Sequence, residues 1–418
     1  MSIARWVVSF LTLCVLVILA SYSVLLARSD SLFRENSLTA LRTAARLVPA
    51  NAAYHALLAE HLEAAGANPD TELEIATRLN PHESRYWIRR AFRAELEQKF
   101  EESEHYLLEA SRVDRGFDPQ WALMNYYFRR GKLGEFWKST NEALNVSYGN
   151  LDPIFRLCLA ASDDPAVTRS ILPPRRHILF AFFAYLTAHG QVDSAASIAP
   201  ELASGAQPEE VNVLLDYCGK QIVHHNGASS LAVWNAMCNR RLIAFAELSP
   251  SLGRIVTNGD FAALPLQRGY DWKYATDAGV AVGPMDAAEG VAIDLNGKQP
   301  DGISLIEQEI PLTPGKQYTI NYDYRLTGAS GDSGLHWIIQ GPRADAGATI
   351  DAGNESIAIS PVLSAQDWNN GKLTFSSGRL DSASLILEYR RTLATVRWNG
   401  TAQIRRVTSS LSPSGSDK

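Results

Sequence analysis

Residues 76–81, 110–115 and 143–148 read ATRLNP, ASRVDR and ALNVSY, so that an alanine opens each sextet and the alanines stand 34 and 33 residues apart. A near-constant period of this length means a repeated structural unit. Each sextet ends a helix-length segment, and each has another such segment upstream, at residues 53–65, 85–98 and 120–130. Small residues recur where two antiparallel helices must approach, while Trp87, Phe100, Leu107, Trp121, Leu133 and Trp137 fill the space between. One such pair is too thin to bury its own apolar face, so neighbours must stack. The pattern extends outward in looser form. Residues 37–48 read as the second helix of an initial half-repeat, and residues 177–202 repeat the pattern through Gly190, Val192, Ala195 and Ala199. Beyond Pro208, helices over 209–223 and 228–247 cap the stack.

The units resemble the tetratricopeptide repeat family through Trp87, Ala91, Phe100, Leu107 and Ala110 in one unit, Leu123, Gly131, Leu133 and Ala143 in the next, and Ala76 with Pro81 in the first. Ala91 and Ala94 stand where the family usually has Gly or Tyr. The resemblance implies a concave groove, lined by the first helices, that holds a peptide or partner protein without catalysis. Arg85, Arg89 and Arg93 share one helical stripe at i, i+4 and i+8. They read either as a grip on an acidic tail of that partner or as a solvated face balanced by Glu95, Glu97, Glu101, Glu102 and Glu104. His224 and His225 point about 100° apart on a helix and have no third ligand nearby, so they read as surface histidines.

The chain has 418 residues, 46% of them hydrophobic and 20% charged, with a net charge of -6, which excludes a disordered chain and leaves room for more than one core. Basic and acidic residues are mixed throughout, so a phosphate-binding nucleic-acid surface has no footing and no nucleic-acid partner is expected. Residues 6–27 carry no charge and are dominated by Val, Leu and Ile. At about 1.5 Å per residue they cross a hydrocarbon layer of about 30 Å. The run outlasts a cleaved signal peptide's apolar core, which favours an uncleaved signal anchor. Leu13 stands where a lipoprotein site at Cys14 wants a small residue. Arg5 and the amino terminus nearly balance Arg28 and Arg34 across the span, and the soluble part is placed outside the cytoplasm. Cys158, Cys218 and Cys238 have no metal-binding spacing; Cys218 and Cys238 either pair or stand as two core thiols.

After Arg254 the composition changes: 18 of the 28 glycines fall in residues 258–418, and alternation of period two replaces helical spacing. Over residues 317–326, Tyr318, Ile320, Tyr322 and Tyr324 take one face and Thr319, Asn321, Asp323 and Arg325 the other. Leu335, Trp337 and Ile339 oppose His336, Ile338 and Gln340, and Leu385, Leu387 and Tyr389 oppose Ile386, Glu388 and Arg390. Further strands are expected at 290–295, 303–310, 371–375 and 401–408. Short strands joined by Gly-rich turns favour a two-sheet sandwich.

This part resembles the galactose-binding-like jelly rolls, above all carbohydrate-binding modules, through Asn258-Gly259-Asp260-Phe261, Trp272, the run 308–318, Trp368 before the strand ending in Phe375, and Asn399-Gly400-Thr401. Relatives hold a structural calcium near two positions that are Ala262 and Arg405-Arg406 here, so no calcium and no other cofactor is expected. Sugar binding needs aromatic surface for a pyranose ring and planar polar groups for its hydroxyls. The candidates are Trp272, Tyr274, Asn321, Asp323, Arg325, His336, Gln340, Glu388 and Arg390. A glycan, a protein contact and a purely structural module all remain open for this domain.

Gly331-Asp332-Ser333-Gly334 looks like a serine-protease nucleophile loop, but no histidine base precedes it within the domain, so it reads as a turn. Asp323 and Glu388 could serve as a glycosidase pair if the fold set them about 5–9.5 Å apart across a bound sugar, a distance that the sequence does not supply. The expectation is therefore a multidomain α plus β protein: a short N-terminus (1–5), a transmembrane signal anchor (6–27), a repeat domain (28–248), a linker (249–257), a sandwich (258–409) and a disordered tail (410–418). It is read as a non-catalytic scaffold that binds a protein through its repeats and a polysaccharide or protein through its sandwich, in exopolysaccharide or envelope assembly. A polysaccharide-acting enzyme is the alternative.

Overall fold

The computed structural model describes residues 3–224, 226–285, 290–328, 332–341, 356–393 and 395–412. The chain forms two compact units, Met1–Ile178 and Leu179–Lys418.

The first unit is helical. Its elements are α1 (Ile3–Glu35), α2 (Leu38–Leu47), α3 (Ala52–Ala64), α4 (Asp70–Leu79), α5 (Ser84–Leu96), α6 (Phe100–Val113), α7 (Phe117–Arg130), α8 (Leu133–Val146), α9 (Asp152–Ala161) and α10 (Pro165–Ile171). They pack as successive hairpins, each against the next. The alanines that set the period are all fully buried at 0% exposure: Ala76 in α4, Ala110 in α6 and Ala143 in α8. A methyl group there lets the partner helix approach, and a longer side chain would force the pair apart. Ala44, 32 residues before Ala76, takes the same buried place in α2. The first repeat is thus a complete pair and not the half-repeat expected, because the apolar N-terminal helix runs on to Glu35 and supplies the missing first helix. Asn36 turns the chain with φ 54°, and Ser37 caps α2 by accepting the Ala40 amide.

The second unit opens with helices and continues into strands. It holds all but the first turn of α11 (Arg176–Ala188), then α12 (Val192–Ala196), α13 (Ala199–Ser204), α14 (Val211–Val223) and α15 (Gly227–Asn239). The loose repeat expected over 177–202 forms three helices, its second part being split into α12 and α13, with Pro200 at the start of α13 where an interior amide would have been lost. The last helix stops at Asn239 and not at Glu247. Arg241 adopts φ 56° and the Leu242 amide bonds back to Met237, which closes the helix end.

Ten strands follow among the described residues: β1 (Lys273–Tyr274), β2 (Val280–Pro284), β3 (Val291–Asn296), β4 (Gly302–Pro311), β5 (Gln317–Gly328), β6 (Leu335–Gln340), β7 (Ser356–Ile359), β8 (Asn369–Ser376), β9 (Ser382–Arg390) and β10 (Asn399–Leu411). They form two antiparallel five-stranded sheets, ordered β1-β4-β9-β6-β7 and β2-β3-β10-β5-β8. One core lies between them. It takes the inward set of every long strand, including Tyr318, Ile320, Tyr322, Tyr324, Leu335, Trp337, Ile339, Leu385, Leu387 and Tyr389. β10 carries a bulge between Arg405 and Thr408, with Arg406 at φ 50°. Ser410 and Leu411, expected in the tail, extend this strand; residues 413–418 lie outside the described residues.

Residues 249–257, expected as a linker, are built into the second unit. Ser249 pairs with Arg254, Ile255 is fully buried in the sandwich core, and Thr257 exchanges backbone bonds of 3.0 and 2.8 Å with the Gln308 amide. Helices and sandwich also share aromatic contacts. Tyr270 lies edge-on to Trp234 at 5.7 Å and donates to the Gly227 carbonyl, while Gly269 (φ 64°) passes so close to Trp234 that a Cβ would sit 2.7 Å from its ring. The change in composition after Arg254 therefore falls inside one packed body.

Candidate functional site

The outer face of the β2-β3-β10-β5-β8 sheet carries a connected polar array. Strand alternation turns Asn321, Asp323 and Arg325 of β5 outward, and register places Gln403 opposite Arg325, Arg405 and Asn370 on either side of Asp323, and Lys372 opposite Asn321. Arg325 donates to Gln403 Oε1 through Nε at 2.8 Å. Trp368, half-buried just before β8, is held by two guanidinium groups, Arg405 at 3.9 Å and Arg325 at 5.1 Å from the ring centroid. Toward β3 and β2 the register continues through Ala292 to Gly283, so the surface beside the arginines is floored by small residues.

Asp323 is 7% exposed and anchors this array. It accepts from Asn370 Nδ2 at 3.2 Å and from Arg406 Nε at 2.7 Å, and Arg405 approaches it at 3.4 Å. Burial works to raise its carboxyl, but the hydrogen bonds from Arg406 and Asn370 and the charges of both arginines outweigh that and hold it below the ordinary carboxylate value. The bulge in β10 makes this possible, since it brings two consecutive arginines within reach of one carboxylate.

The other expected ligand residues do not join this face. Trp272 is fully buried: its ring stacks on Phe261 at 5.1 Å and its Nε1 donates to the Asn258 carbonyl at 3.0 Å. The Asn258-Gly259-Asp260-Phe261 turn, with Asn258 and Phe261 both at positive φ, seats that ring in the core, which corrects its reading as a sugar platform. Tyr274 pairs with Ile306 and packs on the core edge, and burial pushes its phenol up to about 12. His336, Gln340, Glu388 and Arg390 face outward from β6 and β9, which belong to the opposite sheet. His336 lies across from Glu388, which pairs with Arg390 at 2.9 Å; Ile338 and Ile386, 4% and 2% exposed, occupy the middle of that face. Asp323 and Glu388 thus point away from each other on two sheets, which pack about 10 Å apart, and cannot flank one glycosidic bond.

Sequence reasoning missed Trp368, Asn370, Gln403 and Arg405 as site residues. The alternation of Gln403 and Arg405 along β10 was readable, but which strand lies beside β5 was not. Ser333 is 1% exposed and donates to the Leu363 carbonyl at 2.5 Å, so it ties a turn; Gly331 and His225 lie outside the described residues. Among the described residues no three His, Cys, Asp or Glu side chains converge. Cys218 and Cys238 are unpaired, and burial pushes both thiols up to about 12.

In the first unit, Arg85, Arg89 and Arg93 are all engaged. Arg85 forks onto Glu83 at 2.8 and 3.1 Å, Arg89 reaches back to Glu60 and Glu63 on α3, and Arg93 pairs with Asp70 at 3.2 Å and with Glu97 at 3.4 Å. Of the acids expected to balance them only Glu97 does so, while Glu95 and Glu104 instead hold Arg129 and Lys132. The stripe ties one repeat to the previous one, and beyond Arg89 it continues as exposed Phe92 and Leu96.

These features define a class by fold alone: paired helical repeats followed by an antiparallel sandwich of two five-stranded sheets. No protein-family description matches the chain, and no curated protein does. Among solved structures it is similar to the module CBM4 (18% identity, 38% of this chain, 99% of that one, TM-score 0.28) and to the xylan-binding domain CBM22-1 of Paenibacillus barcinonensis Xyn10C (11%, 37%, 91%, 0.25). It is also similar to YrrB, a TPR protein with an unusual peptide-binding site (16%, 41%, 94%, 0.23).

Proposed function

We propose that this protein is a membrane-anchored, non-catalytic scaffold that holds a glycan on the outer face of the β2-β3-β10-β5-β8 sheet and a protein partner on its helical repeats. The observation that carries the glycan reading is Trp368, fixed by Arg325 and Arg405 beside Gln403, Asn370 and Asp323. The reading takes the part of the indole not covered by the guanidinium groups as apolar surface for a sugar ring, with planar donors and acceptors beside it for its hydroxyls. The reading of α1 as an uncleaved anchor is supported by its exposed apolar run from Trp6 to Leu25 and by unbroken helix where a leader would be cut. The protein partner is assigned to the exposed α5 stripe, where Phe92 and Leu96 add apolar surface to Arg85 and Arg89. A glycan and a protein held together beside a membrane suit exopolysaccharide or envelope assembly. The test is retention of the full chain, in lipid nanodiscs, on an array of polysaccharides, followed by an assay for released reducing ends. The reading requires retention without release; release, or no retention on any glycan, contradicts it.

A further inference from the structure

Helix α1 does not stop where its apolar run stops. Ala27 is the last residue of that run, and the helix continues through Arg28 to Glu35. Leu26, Leu32 and Phe33 already pack on the first repeat core, built on Leu41, Ala44, Ala45, Val48, Tyr54 and Leu58. Ser29 is fully buried and Asp30 accepts from the Tyr54 hydroxyl. The folded repeat therefore begins within one turn of the end of the apolar run, with no linker between.

The turn at Asn36 and Ser37 folds α2 back along α1. Ten residues at about 1.5 Å each run about 15 Å, which returns the chain from the level of Glu35 to that of Leu26. Arg46, in the last turn of α2, then stands level with Arg28, and Arg42 one turn further out. Both are exposed on the side of α2 away from its buried Ala40, Leu41, Ala44 and Ala45. Arg28, Arg42 and Arg46 form no ion pair among the described residues, in contrast to the arginines of α5. The acids of α1 and α2 are Asp30, taken up by Tyr54, and Glu35 at the far end, bonded to Ser37.

We propose that Arg28, Arg42 and Arg46 form a basic collar that binds the phosphates of anionic phospholipids at the surface of the membrane crossed by α1. This rests on the reading of α1 as a membrane span and holds for either leaflet. Guanidinium groups fork onto phosphate, their long stems reach along the apolar boundary, and attraction to an anionic surface fades over about 10 Å, which keeps all three in range. The rigid hairpin would then fix how the repeats stand over the bilayer.

The test places the full chain in nanodiscs of phosphatidylcholine mixed with phosphatidylglycerol and identifies the lipids retained by native mass spectrometry. The wild type is expected to enrich phosphatidylglycerol over the bulk ratio, R42Q and R46Q to lower that enrichment roughly fivefold each, and R115Q, an exposed arginine elsewhere in the unit, to leave it unchanged. R42K/R46K is expected to keep most of it, which separates lost charge from damaged folding. Retention in the bulk ratio by wild type, or equal enrichment by R42Q/R46Q, overturns the collar alone. Failure of the full chain to insert into any disc overturns the anchor and the collar with it.

Discussion

At the scale of single residues, Asp323 is the group that ties together the face proposed to bind a glycan. Its folded carboxyl titrates below the ordinary carboxylate value of about 3.9, so between the two values the unfolded chain binds the extra proton. The stability it contributes is complete above the unfolded value and is lost as pH falls through the folded one. Asp323→Asn should cost about 1–3 kcal/mol at neutral pH and flatten the fall in melting temperature between pH 5 and pH 2. An acid slope equal to that of the wild type would show that the arginines do not act through this carboxylate. Trp272 teaches a different lesson. A tryptophan after a turn reads alike whether its ring is offered to a sugar or sealed inside, because both uses need a large flat apolar surface. The seal comes from Asn258, 14 residues away, and from Phe261, which only the folded turn brings under the ring.

At the scale of elements, legibility followed the range of the interactions. Ala76, Ala110 and Ala143 could be read because helical pairing is local and repeats itself, and β5 could be read because a half-buried strand alternates. The neighbours of β5 could not, since β8 and β10 reach it from 45 to 93 residues away, and that pairing decides that Asp323 and Glu388 face opposite directions. The boundary between helices and strands misled for a related reason. Composition changes after Arg254, yet Trp234 of α15 covers Tyr270 and Gly269 of the sandwich. A fragment beginning at residue 255 uncovers Tyr270 and removes the acceptor of its hydroxyl. It is expected to melt well below a fragment beginning at Leu179, or to aggregate; equal melting temperatures for the two would refute the shared packing.

At the scale of the whole molecule, the account is a tether followed by two recognition units, and the orientation of the tether is where two forces oppose. Glycan binding calls for the soluble part to lie outside the cytoplasm. The positive charge near the span pulls the other way, since Arg28, Arg34, Arg42 and Arg46 all follow it within about 20 residues, a distance over which such charge counts. The scaffold reading expects protease added outside intact spheroplasts to digest the soluble part; full protection would place it in the cytoplasm and remove an external glycan as its ligand. The central claim is that one sheet face, built around Trp368, holds the sugar. It is tested most directly by titrating the full chain with the tightest-binding array glycan, in the wild type, W368A and E388Q. The account predicts at least a tenfold loss of affinity for W368A, from the removed stacking surface, with E388Q unchanged; an unchanged W368A, or loss only in E388Q, would contradict it.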